Sequence, residues 1–271
     1  MAGSPRQISR SQISYIRDLI QSRRTRDREG VFVLEGAKPI LELLQSAPHH
    51  VVTVVASPGF LDRQSPAVKQ QLLRRDGAFY LCCDERLAKI SAVETSSGAV
   101  AIVRRPTWDQ SAVLARPRVL GLYGDRLQDP TNIGAIIRTA AGLDVSGLWL
   151  APDSVDVFNP KVVRATAGTL FRFPIFFRTA IEELVEQGCV VFAADTATGG
   201  LPIRSIQTLP PRTIVAIGSE GRGLSDATMA AAQFRFTIPL KQDVESLNVA
   251  AAAAIAMFHL SGLPIAHSFA S

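Results

Sequence analysis

A short polar segment, VESLN (Val244 to Asn248), separates two apolar stretches, FTIPL (Phe236 to Leu240) and VAAAAAIAMF (Val249 to Phe258). The first reads as a strand ending inside a sheet and closed by Pro239. The second, dominated by alanine, reads as a helix buried on every side. Glu245, Ser246 and Asn248 then fall at a helix N-terminus. Free backbone N–H groups and the helix dipole favour negative charge there and can fix a ligand. The plainer alternative is that Ser246 or Asn248 is only an N-cap. Two further polar, glycine-bearing loops directly follow apolar runs: DRLQDPTNIGAIIRTA (Asp125 to Ala140) and GSEGRGLS (Gly218 to Ser225). In the first, Ile133, Ile136, Ile137 and Ala140 make a helical core stripe, which leaves Asn132 at the helix start and Arg138 off the stripe. The second lacks the lysine and spacing of a Walker A loop. The run before the first ends in GD rather than GxGxxG, which disfavours an ordinary dinucleotide fingerprint.

These loops need strands to hold them. Val119 to Tyr123, Gly147 to Ala151, Phe173 to Phe177, Val190 to Ala194 and Thr213 to Ile217 are apolar and β-rich, as strands covered on both faces are. Ile133 to Leu143 and Pro160 to Leu170 read as helices. In open α/β sheets ligands gather beyond the carboxyl ends of such strands. A smaller alternation precedes them. Ser9 to Arg24 reads as a helix with Ile13, Ile16, Leu19 and Ile20 on one face; VFVLEG, VVTVVA, AFYLC and AVAIV read as strands, and Ala37 to Gln45 and Ala67 to Arg75 as helices. The expected division is a domain over 1–105, a linker over 106–117 carrying Pro106 and Pro117, and a second domain over 118–271.

The 271 residues, 47% hydrophobic and 20% charged, suit one large or two small cores. Three cysteines and four scattered histidines give neither a disulfide framework nor a metal-ligand pattern, so no metal is expected. A reducing cytoplasmic setting fits, and no apolar run reaches the roughly 20 residues of a spanning helix. The Arg- and Ser-rich first 24 residues read as an amphipathic helix, with an organelle transit peptide as the alternative. Residues 1–105 carry 16 Lys+Arg against 10 Asp+Glu, and residues 106–271 carry 13 against 14, so the basic excess is N-terminal. It is densest around Arg23, Arg24, Arg26 and Arg28, which are expected to contact RNA phosphates. A solvated helix face is the alternative.

Taken together, the three loops resemble the signature motifs of the SpoU (TrmH-like) family of RNA ribose 2′-O-methyltransferases, in the SPOUT superfamily, over residues 118–260. FVLEGAKPILELL and ETSSGAVAIVRRP resemble, more loosely, the L30e-like substrate-binding domain of ribosomal-RNA members. The resemblance implies a C-terminal α/β trefoil-knot methyltransferase domain preceded by a small L30e-like α/β domain. General topology rules argue against a knot. It also implies S-adenosylmethionine as cofactor, contacted at Gly218, Ile238 and Leu247, with Thr196 as a fourth position, and a homodimer formed across the helices flanking the knot.

Asn132, Arg138, Glu220, Ser246 and Asn248 match the family's functional residues. The family commonly gives Arg138 the activation of the 2′-hydroxyl, reaching in from the partner subunit. A guanidinium with a reference pKa of about 12.5 or more is a poor base, so the physical expectation is that Arg138 fixes the target phosphate and ribose. Asn132, Ser246 and Asn248 would orient the arginine, the loops and the ribose, and Glu220 would hold the cofactor loops. Leu240 and Gln242 stand where the family usually has Met and Gly. The first exchange conserves volume; the second puts the loop path in question. The expected substrate is ribosomal RNA of the 23S type, with transfer RNA as the alternative and a non-catalytic RNA-binding or ribosome-assembly protein as the rival.

Overall fold

The computed structural model describes residues 6–75, 78–91, 98–195, 200–219, 221–241 and 244–266. Thr196, Glu220 and Gln242 lie outside them. The chain divides into two compact units. One comprises Met1–Pro106 with Phe158–Gly168, and the other Thr107–Val157 with Thr169–Ser271.

In the first unit, β1 (Arg6–Gln7), α1 (Arg10–Gln21), α2 (Arg23–Glu29), β2 (Val31–Glu35), α3 (Ala37–Ser46), β3 (Val51–Ala56), α4 (Pro58–Asp62), α5 (Pro66–Leu73), β4 (Phe79–Leu81), α6 (Asp84–Ala88) and β5 (Ala99–Arg104) follow in order. The sheet order is β1-β4-β3-β5-β2, parallel across its first two pairings and antiparallel across the others. Ile16 and Leu19 of α1 share a core with Leu87 of α6, Ile90 and Val100. Phe158, from much later in the chain, sets its ring 5.0 Å from that of Phe32 at a tilt of 37°, and the Arg105 guanidinium lies 4.3 Å from the Phe158 centroid.

The single helix expected from Ser9 to Arg24 is two. Ser22 has extended backbone; its N–H donates to the Asp18 carbonyl, ending α1, while its hydroxyl accepts from Thr25 N–H and caps α2. That break decides the fate of one arginine. Arg26 is 2% exposed, and its Nη1 donates to the carbonyls of Leu19 (2.6 Å) and Ile20 (3.0 Å) in the last turn of α1. A cation satisfying helix-end carbonyls is a structural cap. The expectation of an RNA contact at Arg26 is therefore corrected, whereas Arg23, Arg24 and Arg28 are exposed.

The second unit holds α7 (Gln110–Leu114), β6 (Val119–Asp125), α8 (Pro130–Gly142) and β7 (Gly147–Leu150). The chain then supplies α9 (Pro160–Ala165) to the first unit before β8 (Ile175–Phe177), α10 (Ile181–Glu186), β9 (Val190–Ala194), β10 (Leu201–Pro202), β11 (Arg212–Gly218), α11 (Asp226–Ala231), β12 (Phe234–Thr237) and α12 (Val249–Ser261). The sheet is parallel throughout, in the order β10-β12-β9-β11-β6-β7-β8. Its interior leaves no room at Gly121, where an added Cβ would come within 2.5 Å of Trp149. Within the stretch read as a linker, Val113 and Leu114 of α7 are buried in this core.

Three expectations shift. The helix expected from Pro160 to Leu170 ends at Ala165, because Ala167 and Gly168 take left-handed backbone (φ 49 and 86). The strand expected at Phe236 to Leu240 stops at Thr237, before Pro239, which has no N–H for a ladder. Finally, α12 is not buried on every side: Ala251, Ile255 (41%) and Phe258 (73%) are exposed.

Cys82 and Cys189 are buried and Cys83 is exposed. Burial raises both buried thiols, Cys189 to about 11, and leaves them unreactive. Among the described residues no helix is long and apolar enough to cross a membrane.

Arg26→Ala is expected to lower the stability of the first unit by about 1.5–3 kcal/mol, since it leaves helix-end carbonyls without their charged donor. Arg24→Ala, at an exposed position, should stay within about 0.5 kcal/mol. Urea unfolding of the two variants measures the difference.

Candidate active site

Parallel strands share one carboxyl edge, so the loops leaving β6, β11 and β12 emerge on the same side of the sheet. In register, Gly218 at the end of β11 sits opposite Asp125 at the end of β6, and Phe236 of β12 sits opposite Ala194 of β9. The loops are then tied to one another by specific bonds.

The loop after β11 folds back on itself. Gly223 N–H donates to the Ser219 carbonyl (2.8 Å), with Gly223 left-handed at φ 62. This brings the Gly223 backbone against Gly218, where a Cβ would come within 2.2 Å of it. No side chain fits position 218 without opening the loop. Asp125, 2% exposed, accepts from Ser225 N–H (2.6 Å) and thereby fastens the end of β6 to the cap of α11. Beside it, the Tyr123 hydroxyl donates to the Thr179 carbonyl (3.2 Å). Burial, and secondarily the Asp125 charge, raises the Tyr123 pKa, so the phenol stays neutral.

The third tie joins two helix starts. Asp129 caps α8 by accepting from Thr131 N–H (2.6 Å), with Pro130 in the first turn. Asn132 follows, 8% exposed. Asn248 caps α12, its Oδ1 accepting from the N–H groups of Ala250 (2.9 Å) and Ala251 (3.3 Å). Backbone N–H groups can only donate, so the amide oxygen must face the helix and the Nδ2 group must face outward. There it donates to Asn132 Oδ1 at 3.0 Å.

The fold-back that sets Gly223 against Gly218 borders a cavity of about 580 Å³, within the range of small-molecule sites. Gly218, Ile238, Leu247, Ser246 and Leu240 all line it, and so do Ser219, Arg222 and Met229, which the sequence reading did not select. Its wall combines apolar side chains with the exposed backbone of a glycine loop. It thus offers surface for a flat ring and amide groups for polar edges. A second cleft, of about 500 Å³, shares Ser219, Gly221, Arg222 and Val249 with the first and adds Arg126, Gln128, Asp129 and Asn132. Arg126 holds left-handed backbone (φ 55) beside the buried Asp125, with Nε 3.5 Å from Oδ1. Strain of that kind in a non-glycine residue collects at functional sites, and no sequence pattern announces it. Arg138 is exposed on the side of α8 away from the buried Ile133, Ile136 and Ile137, and it lines neither space.

The C-terminal helix is fastened at its far end as well. Arg118, just before β6, donates through Nη2 to the carbonyls of Leu260 (3.3 Å) and Ser261 (2.5 Å). Leu209 N–H donates to the Pro264 carbonyl (3.0 Å) and the Leu209 carbonyl accepts from Ala266 N–H (2.9 Å), and a His259 ring nitrogen lies 3.2 Å from the Ile206 carbonyl.

Residues 120–258 match the SpoU rRNA Methylase family, and residues 10–101 match the MRM3-like substrate binding domain. An uncharacterized tRNA/rRNA methyltransferase of Synechocystis is 32% identical over 93% of this chain and 92% of its own. The 23S rRNA (guanosine(2553)-2′-O)-methyltransferase RlmP of Bacillus subtilis is 27% identical over 90% and 93%. Among solved structures, the SpoU methyltransferase AviRb of Streptomyces viridochromogenes in complex with AdoMet superposes with a TM-score of 0.78. It is 27% identical and covers 93% of this chain and 97% of its own.

Asn248→Ala is expected to cost about 1–2 kcal/mol through loss of the cap. Asn248→Asp keeps the cap acceptor but loses the donor to Asn132, and should retain most of that stability. Chemical denaturation of the two variants separates capping from bridging.

Proposed function

This chain belongs to the SpoU rRNA Methylase family, and on that footing we propose that it methylates a ribose 2′-hydroxyl of ribosomal RNA, of the 23S type, with S-adenosylmethionine as methyl donor. The fold is the α/β trefoil-knot methyltransferase expected, preceded by a small α/β substrate-binding unit. One observation carries the reading: the cavity walled by Gly218, Ile238 and Leu247 adjoins a polar cleft holding Asn132, so donor and ribose can occupy neighbouring spaces. The backbone-rich, part-apolar lining suits an adenosine and a methionine chain. Thr196, assigned as a fourth cofactor contact, and Glu220, assigned to hold the loops, complete the proposed set.

S-adenosylmethionine, when bound, supplies a methyl group on a positively charged sulfur. The ribose oxygen would take that methyl as the carbon–sulfur bond breaks to leave a neutral thioether, its proton passing to solvent or the neighbouring phosphate, and positioning governs the rate of such a displacement. Asn248 and Asn132 fix the loop beside the reacting atoms. Ser246 faces the donor cavity. Arg138 holds the phosphate and ribose rather than acting as a free base. From its exposed face it is available to the active site of a second copy, and this favours a homodimer. The stripe Ala251, Ile255 and Phe258 supplies an apolar contact surface on α12, which packs against α8. Handling of ribosomal RNA gives the protein a cytoplasmic location.

Incubation with labelled S-adenosylmethionine and unmethylated ribosomal RNA is expected to label one ribose 2′-oxygen. Label confined to transfer RNA would replace the substrate; no transfer and no cofactor binding would leave a non-catalytic RNA-binding protein. Arg138→Ala is expected to keep cofactor affinity and lower transfer at least 100-fold, and unchanged turnover would remove its assigned role. Phe258→Asp should convert a dimer to a monomer in light scattering, with transfer lost in parallel.

A further inference from the structure

Of the four arginines prominent in the sequence, Arg26 is a buried cap, Arg23 lies 3.6 Å from Asp27, Arg28 lies 2.9 Å from Glu29, and Arg24 alone of the four is exposed without an ion pair among the described residues. The same unit holds a different basic feature. A cleft of about 310 Å³ is lined by Arg10, Ile13, Ser14 and Arg17 of α1, by Arg86 of α6 and by the adjoining Lys89. We propose that this cleft is the principal phosphodiester-binding site through which the first unit holds its RNA. The inference rests on RNA being the substrate.

Arg10, Arg17, Arg86 and Lys89 are exposed, and among the described residues none of them makes an ion pair. Asp18 on α1 and Asp84 and Glu85 on α6 are exposed too, but they do not wall the cleft. Four like charges around one concave space repel one another, and an anion placed among them relieves that repulsion. Arg10 opens α1, so the positive end of the helix dipole adds to the same field. Arg17 is two helical turns further on, about 10 Å along the axis, with Ser14 between them on the same face. Ile16 and Leu19 of α1, Leu87 of α6 and Ile90 just after it pack in one core. The cations therefore project from elements held rigidly together, and little order has to be imposed when RNA arrives. Contacts of this type read phosphate rather than base. They fix the register of the RNA and leave base identity to other parts of the molecule.

The test uses the full chain carrying Arg10→Ala, Arg17→Ala, Arg86→Ala and Lys89→Ala, with a transcript of 23S-type ribosomal RNA as ligand. Each phosphate contact contributes close to 0.7–0.9 to the slope of log K against log salt, so the slope should become shallower by roughly three. KM for the RNA should rise at least tenfold, while kcat at saturating RNA and affinity for S-adenosylmethionine stay unchanged. Lysine at the three arginine positions should keep the slope, because the charge is retained. Lys89→Glu alone, at an exposed site, should weaken binding in the same direction. An unchanged slope and KM would overturn the proposal, as would a variant with alanine at Arg23, Arg24 and Arg28 that takes the whole slope instead. A parent chain that neither binds nor methylates RNA would overturn the functional reading and the cleft with it, a result visible before any variant is made.

Discussion

The amide of Asn248 holds two distant parts of the chain in one geometry. Its oxygen is committed to the first N–H groups of α12, and its nitrogen is thereby turned toward Asn132 at the start of α8, 116 residues earlier in the chain. A helix start needs an acceptor whatever else happens near it. That need, rather than any demand of catalysis, fixes which way the amide points. The polar cleft and the larger cavity share Ser219, Gly221, Arg222 and Val249, the last being the residue next to Asn248, so loss of the bond would loosen their common wall. The far end of α12 is held equally firmly by Arg118 and by the backbone around Leu209. The helix thus behaves as a strut fixed at both ends.

Around that strut, the parallel sheet does the gathering. Strands pointing the same way deliver their loops to one edge without long excursions, and the register between β11 and β6 sets Gly218 against Asp125. Each loop then has its own constraint: a tight fold-back at Gly218, a buried carboxylate at Asp125 and paired caps at Asp129 and Asn248. None of these depends on a bound molecule. The site is largely preformed, so binding has less entropy to overcome.

Much of this was legible in the residues. The strands, the α8 stripe and the three polar loops follow from periodicity and position, because a parallel sheet imposes continuous apolar runs and puts polar residues at strand ends. Gly218, Ile238 and Leu247, to which the resemblance gave cofactor contacts, line one cavity, and so does Ser246, to which it gave an orienting role. Other features depend on tertiary placement. A dense arginine run looks like a single surface until Ser22 breaks the helix and turns Arg26 inward to cap it. Ala-rich sequence reads as buried all round, yet Phe258 is 73% exposed, since a composition that permits close packing does not say how many neighbours a single chain provides. Arg126 was missed because backbone strain leaves no compositional trace. Lys89 and Arg86 stand far from Arg10 and Arg17 in the chain, and only the shared core of α1 and α6 brings them together.

The excursion of Phe158–Gly168 into the first unit bears on the order in which the chain is made. A domain encoded wholly at the front of a gene can fold while the rest is still being translated. Here the ring that packs against Phe32 and receives the Arg105 guanidinium is added more than fifty residues after the last strand of that unit. Until the ribosome has passed Gly168, the nascent unit must wait with an apolar face uncovered. By then β6 and β7 of the second sheet already exist. The two units are thus interleaved in the gene and in time, and the first cannot be finished, or cleanly cut away, without the second having begun.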